Sequence, residues 1–244
     1  MEKEDWAIYW DGLQRDMRKE MQKDLGYEMR FLREDALAEL LELEDLIGQA
    51  LPNPEVFHLH DEAFFGSAFC LPRAVLGAVA GQELIAYSII RLPGVSKGNL
   101  GRDIGLAEEE LCRVAHLQAI AVHPSHRGRG LQQRMTAAHL RVIEELGCDH
   151  VCCTVSPRNP VSLRNYLCSG LMIRALCPMF KGWWRYIMHR TTLPPAGMRD
   201  ASGMEMVRIS SSDIAGQRDL LRSGFVGISL SMHPDGVEIS YAKV

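Results

Sequence analysis

The sequence predicts an α/β (α+β) protein, and three observations lead there. Short apolar or alternating runs recur along the chain with amphipathic helical stretches between them. Two pairs of these runs are joined by turns short enough for hairpins. In the middle, the buried-strand pattern of Val114–Val122 passes through a short loop directly into a helix. At 244 residues, 47% hydrophobic and 24% charged, the chain can bury a sizeable core and is not a disordered polymer.

Taken in order, residues 2–24 are charged, with Trp6, Leu13, Met17 and Met21 at helical spacing, so an amphipathic N-terminal helix is expected over 1–26. Tyr27–Arg33 alternates as a short strand. Asp35 is expected to cap a helix whose apolar face is Leu37, Leu40, Leu41, Leu43, Leu46 and Ile47. Pro52 and Pro54 open a loop. Ala74–Ala80 and Glu83–Arg91 flank Gly81-Gln82 as a hairpin. Residues 93–110, glycine-rich and then acidic, read as a long excursion of the kind that carries function. After the strand Val114–Val122, the residues Leu131, Met135, Ala138, Val142 and Leu146 mark a helix closed by Gly147. A strand (His150–Val155), a short helix (Ser162–Ser169) and two strands (about Leu171–Cys177 and Trp183–Arg190) follow. Pro194-Pro195 breaks the composition. Residues 194–244 then read as an extension on the main body: a strand (Met204–Ile209), a helix from Asp213 to Arg222, and a hairpin turning at Pro234-Asp235-Gly236.

The net charge of −4 hides an asymmetry: residues 1–50 carry 14 acidic and 7 basic side chains, whereas 113–190 carry 11 basic and 3 acidic. A basic stretch in an acidic chain points to an anionic partner, while the average gives no indication of nucleic-acid binding. No apolar run is long enough to span a bilayer, and the first residues lack a signal-peptide core, so a cytoplasmic protein without membrane contact is expected. The seven cysteines show no CxxC spacing and read as reduced, mostly buried thiols. His58 and His60 alternate along one segment but have no second ligand pair nearby, so no metal site is expected.

The chemistry is concentrated in Ile120-Ala121-Val122-His123-Pro124-Ser125-His126-Arg127-Gly128-Arg129-Gly130-Leu131-Gln132. A helix N-terminus presents amide groups without intrahelical partners, and glycine lets the backbone approach a phosphate closely. No Walker string G-x-x-x-x-G-K-[ST] is present, and Gly128-Arg129-Gly130-Leu131-Gln132-Gln133 lacks the third glycine of a dinucleotide fingerprint. The segment resembles the acyl-CoA loop of the GNAT superfamily of N-acyltransferases, [QR]-x-x-G-x-[GA]: Arg127 and Gly130 match, and Gln132 departs from the last position. Downstream, Asn159, Ser162, Asn165, Tyr166, Gly170 and Leu171 follow the order of that superfamily's Asn-containing turn and Tyr-bearing helix.

The resemblance covers about residues 27–193 and implies a mixed, mostly antiparallel sheet flanked by helices. It implies acetyl-CoA as co-substrate and direct acetyl transfer to an amine in a ternary complex. The cofactor-binding residues it implies are Ile120, Ala121 and Val122 through their main chain, Arg127, Gly128, Arg129, Gly130, Leu131 and Gln132 around the pyrophosphate, and Asn159 on the pantetheine arm. Tyr166 would protonate or hydrogen-bond the departing thiolate. His116, six residues before Val122, stands where many members carry a carboxylate base; Glu108, Glu109 and Glu110 are the other candidates, and Thr154 occupies the alternative base position. The acceptor would be a small-molecule amine or a peptide or protein amine, received by the first helices and the 93–110 excursion. A non-catalytic acyl-CoA sensor is the alternative, and a homodimer is left open.

Overall fold

The computed structural model describes residues 26–192 and 205–243. The helix expected over residues 2–24 and the break at Pro194-Pro195 lie outside them. The elements run β1 (Glu28–Phe31), α1 (Leu37–Gln49), α2 (Glu62–Ala68), β2 (Val75–Ala80), β3 (Glu83–Arg91), β4 (Val114–Val122), α3 (Leu131–Glu145), β5 (His150–Val155), α4 (Pro160–Cys168), β6 (Met172–Met179), β7 (Trp183–Thr191), β8 (Met206–Ser210), α5 (Ile214–Arg222), β9 (Phe225–His233) and β10 (Gly236–Lys243). The strands form one sheet in the order β1-β2-β3-β4-β5-β7-β6-β9-β10-β8. Every pairing among the described residues is antiparallel except β4 with β5.

Adjacent residues of β3 show how the layers are arranged. Tyr87 meets Glu44 of α1 and the ring of Phe65 in α2, whereas Ser88 meets His139 of α3. Successive strand side chains point to opposite faces, so α1 and α2 cover one face and α3 the other. Both faces of β3 are therefore apolar along its length, and Leu84–Ile90 is buried throughout.

Three sequence expectations change locally. Asp35 does not cap α1; a 3-10 turn over Glu34–Ala36 leads into it without a side-chain cap. The stretch after Pro54 contains a helix, α2, capped by Asp61, whose side chain accepts from the Phe64 amide at 2.9 Å. The 93–110 excursion is a structural plug: Leu100 joins Val114, Cys152 and Ile187 in a small buried cluster, and Asn99 bonds the carbonyls of Gly94 and Leu111.

Beyond residue 204 the chain continues the same sheet. Gly227 of β9 approaches Ile173 of β6 so closely that an added Cβ would stand 2.7 Å from the Ile173 side chain. Gln217 of α5 is fully buried; its Oε1 accepts from the hydroxyls of Tyr186 at 2.7 Å and Tyr241 at 2.9 Å, and its Nε2 donates to the carbonyls of Ser210 and Ser211. No helix among the described residues is long and apolar enough to cross a membrane.

Candidate active site

The parallel pairing of β4 and β5 covers only Val114↔His150, Ala115↔Val151 and His116↔Cys152. Past that point β4 runs on to Val122 and β5 to Val155 without contact in register, so the sheet splits. A bulge at Gln118, where the register with β3 slips between Ile89 and Ile90, twists β4 away from its neighbour. The His123 amide bonds Ile85 of β3. By the alternation of strand amides, those of Ile120 and Val122 then turn into the split, as an unpaired edge.

Two cavities meet at the split. The first, about 470 Å³, has Ile120, Ala121 and Val122 on one wall and Arg127, Gly128, Gly130, Leu131 and Gln132 at its end. Gly128 and Gly130 have φ of 77° and 73°, left-handed values that favour glycine. Gly130 caps α3 without any side-chain bond, so the first amides of α3 are left for an anion. Arg127 folds back, its Nε donating to the Val122 carbonyl at 3.3 Å, and Arg129 lies near His126 outside the cavity lining.

Gln132, the departure from the loop pattern, bridges two helices. Its Nε2 donates to Ser162 Oγ at 2.9 Å and its Oε1 accepts from Asn165 at 2.8 Å. A longer side chain here thus ties the loop helix to α4. Asn159 caps α4, accepting from the Ser162 amide at 3.0 Å, and borders both cavities together with Val56, Phe57, Ile120 and Ser162.

The second cavity, about 620 Å³, lies on the other side of this junction. Tyr166 lines it, and burial pushes its phenol well above the ordinary value, so it is a donor at neutral pH. His58 and His60, dismissed from the sequence as metal ligands, stand in its wall. His60 is held from behind by Glu44: its amide donates to Oε1 at 2.6 Å and its Nδ1 lies 3.0 Å from the same oxygen, while the Tyr87 hydroxyl donates to Oε2. An ionised carboxylate only accepts, so Nδ1 carries the hydrogen and Nε2 is the basic nitrogen. The ring stacks on Phe64 with centroids 3.9 Å apart. His58 stacks on Phe180, a non-glycine residue at φ 54° in the β6–β7 turn. Arg91 and Arg185 also stand in the wall, with Asp61, Gln118 and Thr154.

The structure places His116 elsewhere. It is 4% exposed, lines neither cavity, and its Nε2 accepts from the Leu100 amide at 3.1 Å, anchoring the excursion. Burial lowers its pKa to about 4. Counting six residues back from Val122 crosses the bulge at Gln118, where strand alternation inverts, so His116 faces the excursion. Glu108, Glu109 and Glu110 lie outside both cavities too; Glu108 pairs with Arg102, and Glu110 accepts from the Ala107 amide. Cys152 and Cys153 are buried thiols, the first pushed up by burial to about 12 and the second well above its ordinary value. Among the described residues no His, Cys, Asp and Glu side chains cluster as a metal site.

The split β4–β5 pair, the glycine-punctuated turn into α3 and the tyrosine on α4 are the features on which the resemblance to the GNAT superfamily rests. The profile of the Acetyltransferase (GNAT) family matches residues 40–170, and the chain belongs to that family. Solved structures agree in fold. Ard1 from Thermoplasma volcanium is 16% identical, with 70% of this chain and 100% of that one covered and a TM-score of 0.53. The yncA protein from Salmonella typhimurium, solved with its cofactor acetyl-CoA, is 16% identical, with 71% and 98% covered and a TM-score of 0.53. A phosphinothricin acetyltransferase from Sinorhizobium meliloti, in complex with AcCoA, is 13% identical, with 68% and 89% covered and a TM-score of 0.50. A search of curated protein sequences gives no match.

Proposed function

We propose that the protein transfers the acetyl group of acetyl-CoA to the primary amine of a small molecule, by direct attack in a ternary complex. The observation that carries this reading is the meeting of the two cavities at Ile120, Asn159 and Ser162, with unpaired amides on one side and proton-handling side chains on the other. The residues present fit the co-substrate. The amides at the start of α3, next to Gly128 and Gly130, suit its pyrophosphate, and the edge amides of Ile120 and Val122 suit its amide-bearing arm.

His60 Nε2, oriented by Glu44, takes the proton that an ammonium acceptor must lose and passes it to solvent. The neutral amine then forms the N–C bond, and as the C–S bond breaks the attached nitrogen gives up its second proton, again to His60 Nε2, leaving the neutral amide. Edge amides of β4 stabilise the developing negative charge on the carbonyl oxygen. Tyr166 stabilises the departing thiolate by donating a hydrogen bond. Complete proton transfer from a phenol above pKa about 10 to a thiolate near 8.5 is uphill, so the sulfur takes its proton from solvent afterwards.

The test is acetyl-CoA-dependent transfer to a panel of small amines, with CoA binding measured separately. Tyr166→Phe should lose about 10²-fold in kcat while binding CoA within a few-fold of wild type. Absence of CoA binding by the wild-type protein would end this reading. Turnover by Tyr166→Phe at the wild-type rate would remove the donor.

A further inference from the structure

Burial and hydrogen bonding around Arg185 single out one more group in the acceptor cavity. The residue is 3% exposed, and its guanidinium carbon lies 5.5 Å from the ring centroids of both Phe180 and Trp183. Nη1 donates to the Trp184 carbonyl at 3.0 Å, but Nη2 is buried with no hydrogen-bond partner. Glu55 is near enough to act on it through space, yet its carboxylate is engaged with Arg158 Nε at 2.8 Å. A guanidinium removed from water, packed on aromatic faces and left with both N–H groups of Nη2 unpartnered is costly unless an anion completes it.

The position of Arg185 indicates which anion. It lines the acceptor cavity and not the cavity assigned to CoA, so the CoA phosphates do not supply the partner. Arg91, His58 and His60 share its wall; the acidic side chain there, Asp61, is occupied in capping α2. A cavity meant for a simple cationic amine would carry the opposite balance of charge. Its volume of about 620 Å³ suits a ligand of amino-acid size together with the acetyl group.

We propose that the acceptor is an amine that also bears a carboxylate, a free amino acid in chemical class, with Arg185 holding the carboxylate. This rests on the acetyl-transfer reading above, in which His60 serves the amine. Planar guanidinium recognises carboxylate through paired N–H groups, and the aromatic contacts fix the plane in advance.

The experiment compares L-amino acids with their carboxamides as acceptors, in wild type, Arg185→Gln and Arg185→Lys. Binding of an N-acetyl-amino acid and of its amide to the CoA-loaded protein is measured alongside. Wild type should prefer the acid by roughly 10- to 100-fold in kcat/KM and in product affinity. Arg185→Gln should bring both ratios to about one, with Arg185→Lys between. Equal use of acids and amides by the wild-type enzyme overturns the proposal while leaving acetyl transfer standing, and needs no variant. If no amine is acetylated, the function reading fails and the binding ratio still decides the role of Arg185: a ratio of about one overturns it.

Discussion

Glu44 is the residue through which the proposed proton acceptor is most directly tested. Its carboxylate is 3% exposed and accepts the His60 amide, the His60 Nδ1 hydrogen and the Tyr87 hydroxyl. In Glu44→Ala the Tyr87 hydroxyl, fully buried, and the His60 amide lose their acceptor together, so about 3–5 kcal/mol of stability is expected to go. Glu44→Gln keeps the shape and should cost less, about 1–3 kcal/mol. The side-chain oxygen still accepts from the His60 amide and Nδ1 while the NH₂ turns to the Tyr87 hydroxyl oxygen, so what is lost is the negative charge that stabilises the imidazolium formed when Nε2 takes the proton. On that ground kcat/KM should fall by about 10- to 100-fold, or about 1–3 kcal/mol of transition-state stabilisation. The assay is acetyl transfer at saturating acetyl-CoA, with urea unfolding and CoA titration as controls; CoA affinity should stay within about threefold. His60→Ala should lose a comparable factor and regain part of it on addition of free imidazole, which a packing defect would not. A folded Glu44→Gln enzyme with wild-type kcat/KM, or a His60→Ala enzyme that imidazole cannot rescue, would refute the assignment.

Gly128 has open space around its missing Cβ but φ of 77°, so Gly128→Ala should cost about 1 kcal/mol in folding and weaken acetyl-CoA binding by more than tenfold; unchanged affinity by calorimetry would dissociate the turn from the phosphates. Burial holds His116 and His189 at pKa about 4 and His139 at about 3. These residues stay neutral in the native state while the unfolded chain protonates below about 6.5, so stability present at pH 7 is lost as pH falls toward 4. At pH 5 this amounts to roughly 2 kcal/mol for each and roughly 6 for the three, as large as the stability of many domains. Urea midpoints equal at pH 7 and pH 5 would contradict it. Gln217→Leu strands the hydroxyls of Tyr186 and Tyr241, both fully buried, and should cost about 2–5 kcal/mol; a loss below 1 kcal/mol would show that β8–β10 do not depend on this joint.

The parts of this fold that were legible are those in which local pattern and tertiary role coincide. Val114–Val122 and the apolar face Leu131, Met135, Ala138 and Val142 have one periodicity each, and the two glycines between them require the same turn in any context. The acid–base side of the site was not legible in this way. Glu44, His60 and Tyr87 come from α1, a loop and β3, and their meeting depends on the path of residues 50–61, which no repeat or spacing encodes. The alternation of His58 and His60 is visible in the sequence, but nothing in that spacing points to a proton acceptor. A buried glutamate on the apolar face of α1, between Leu40, Leu43 and Ile47, was the available signal that some partner had to reach it. Arg185 gave no signal, since a basic residue in a strand is as common on a solvated face.

The basic stretch from 113 to 190 shows how a sound inference from charge can be right in kind and wrong in place. Arg113 pairs with Asp149, Arg158 with Glu55, and Arg190 donates to the Ser169 carbonyl, so these three mend the structure. Arg127 and Arg129 stand at the exposed turn before α3, where the sequence located the anion. Arg185 faces the other cavity and asks for a different one. The same displacement affects the acidic first fifty residues. Among them is Glu44, which acts from inside the fold by holding a histidine. An ammonium acceptor bound here would therefore meet an imidazole in place of a carboxylate. The attraction that brings it in must then come from its own negative group, which is why the carboxylate and the amine have to be tested on one molecule.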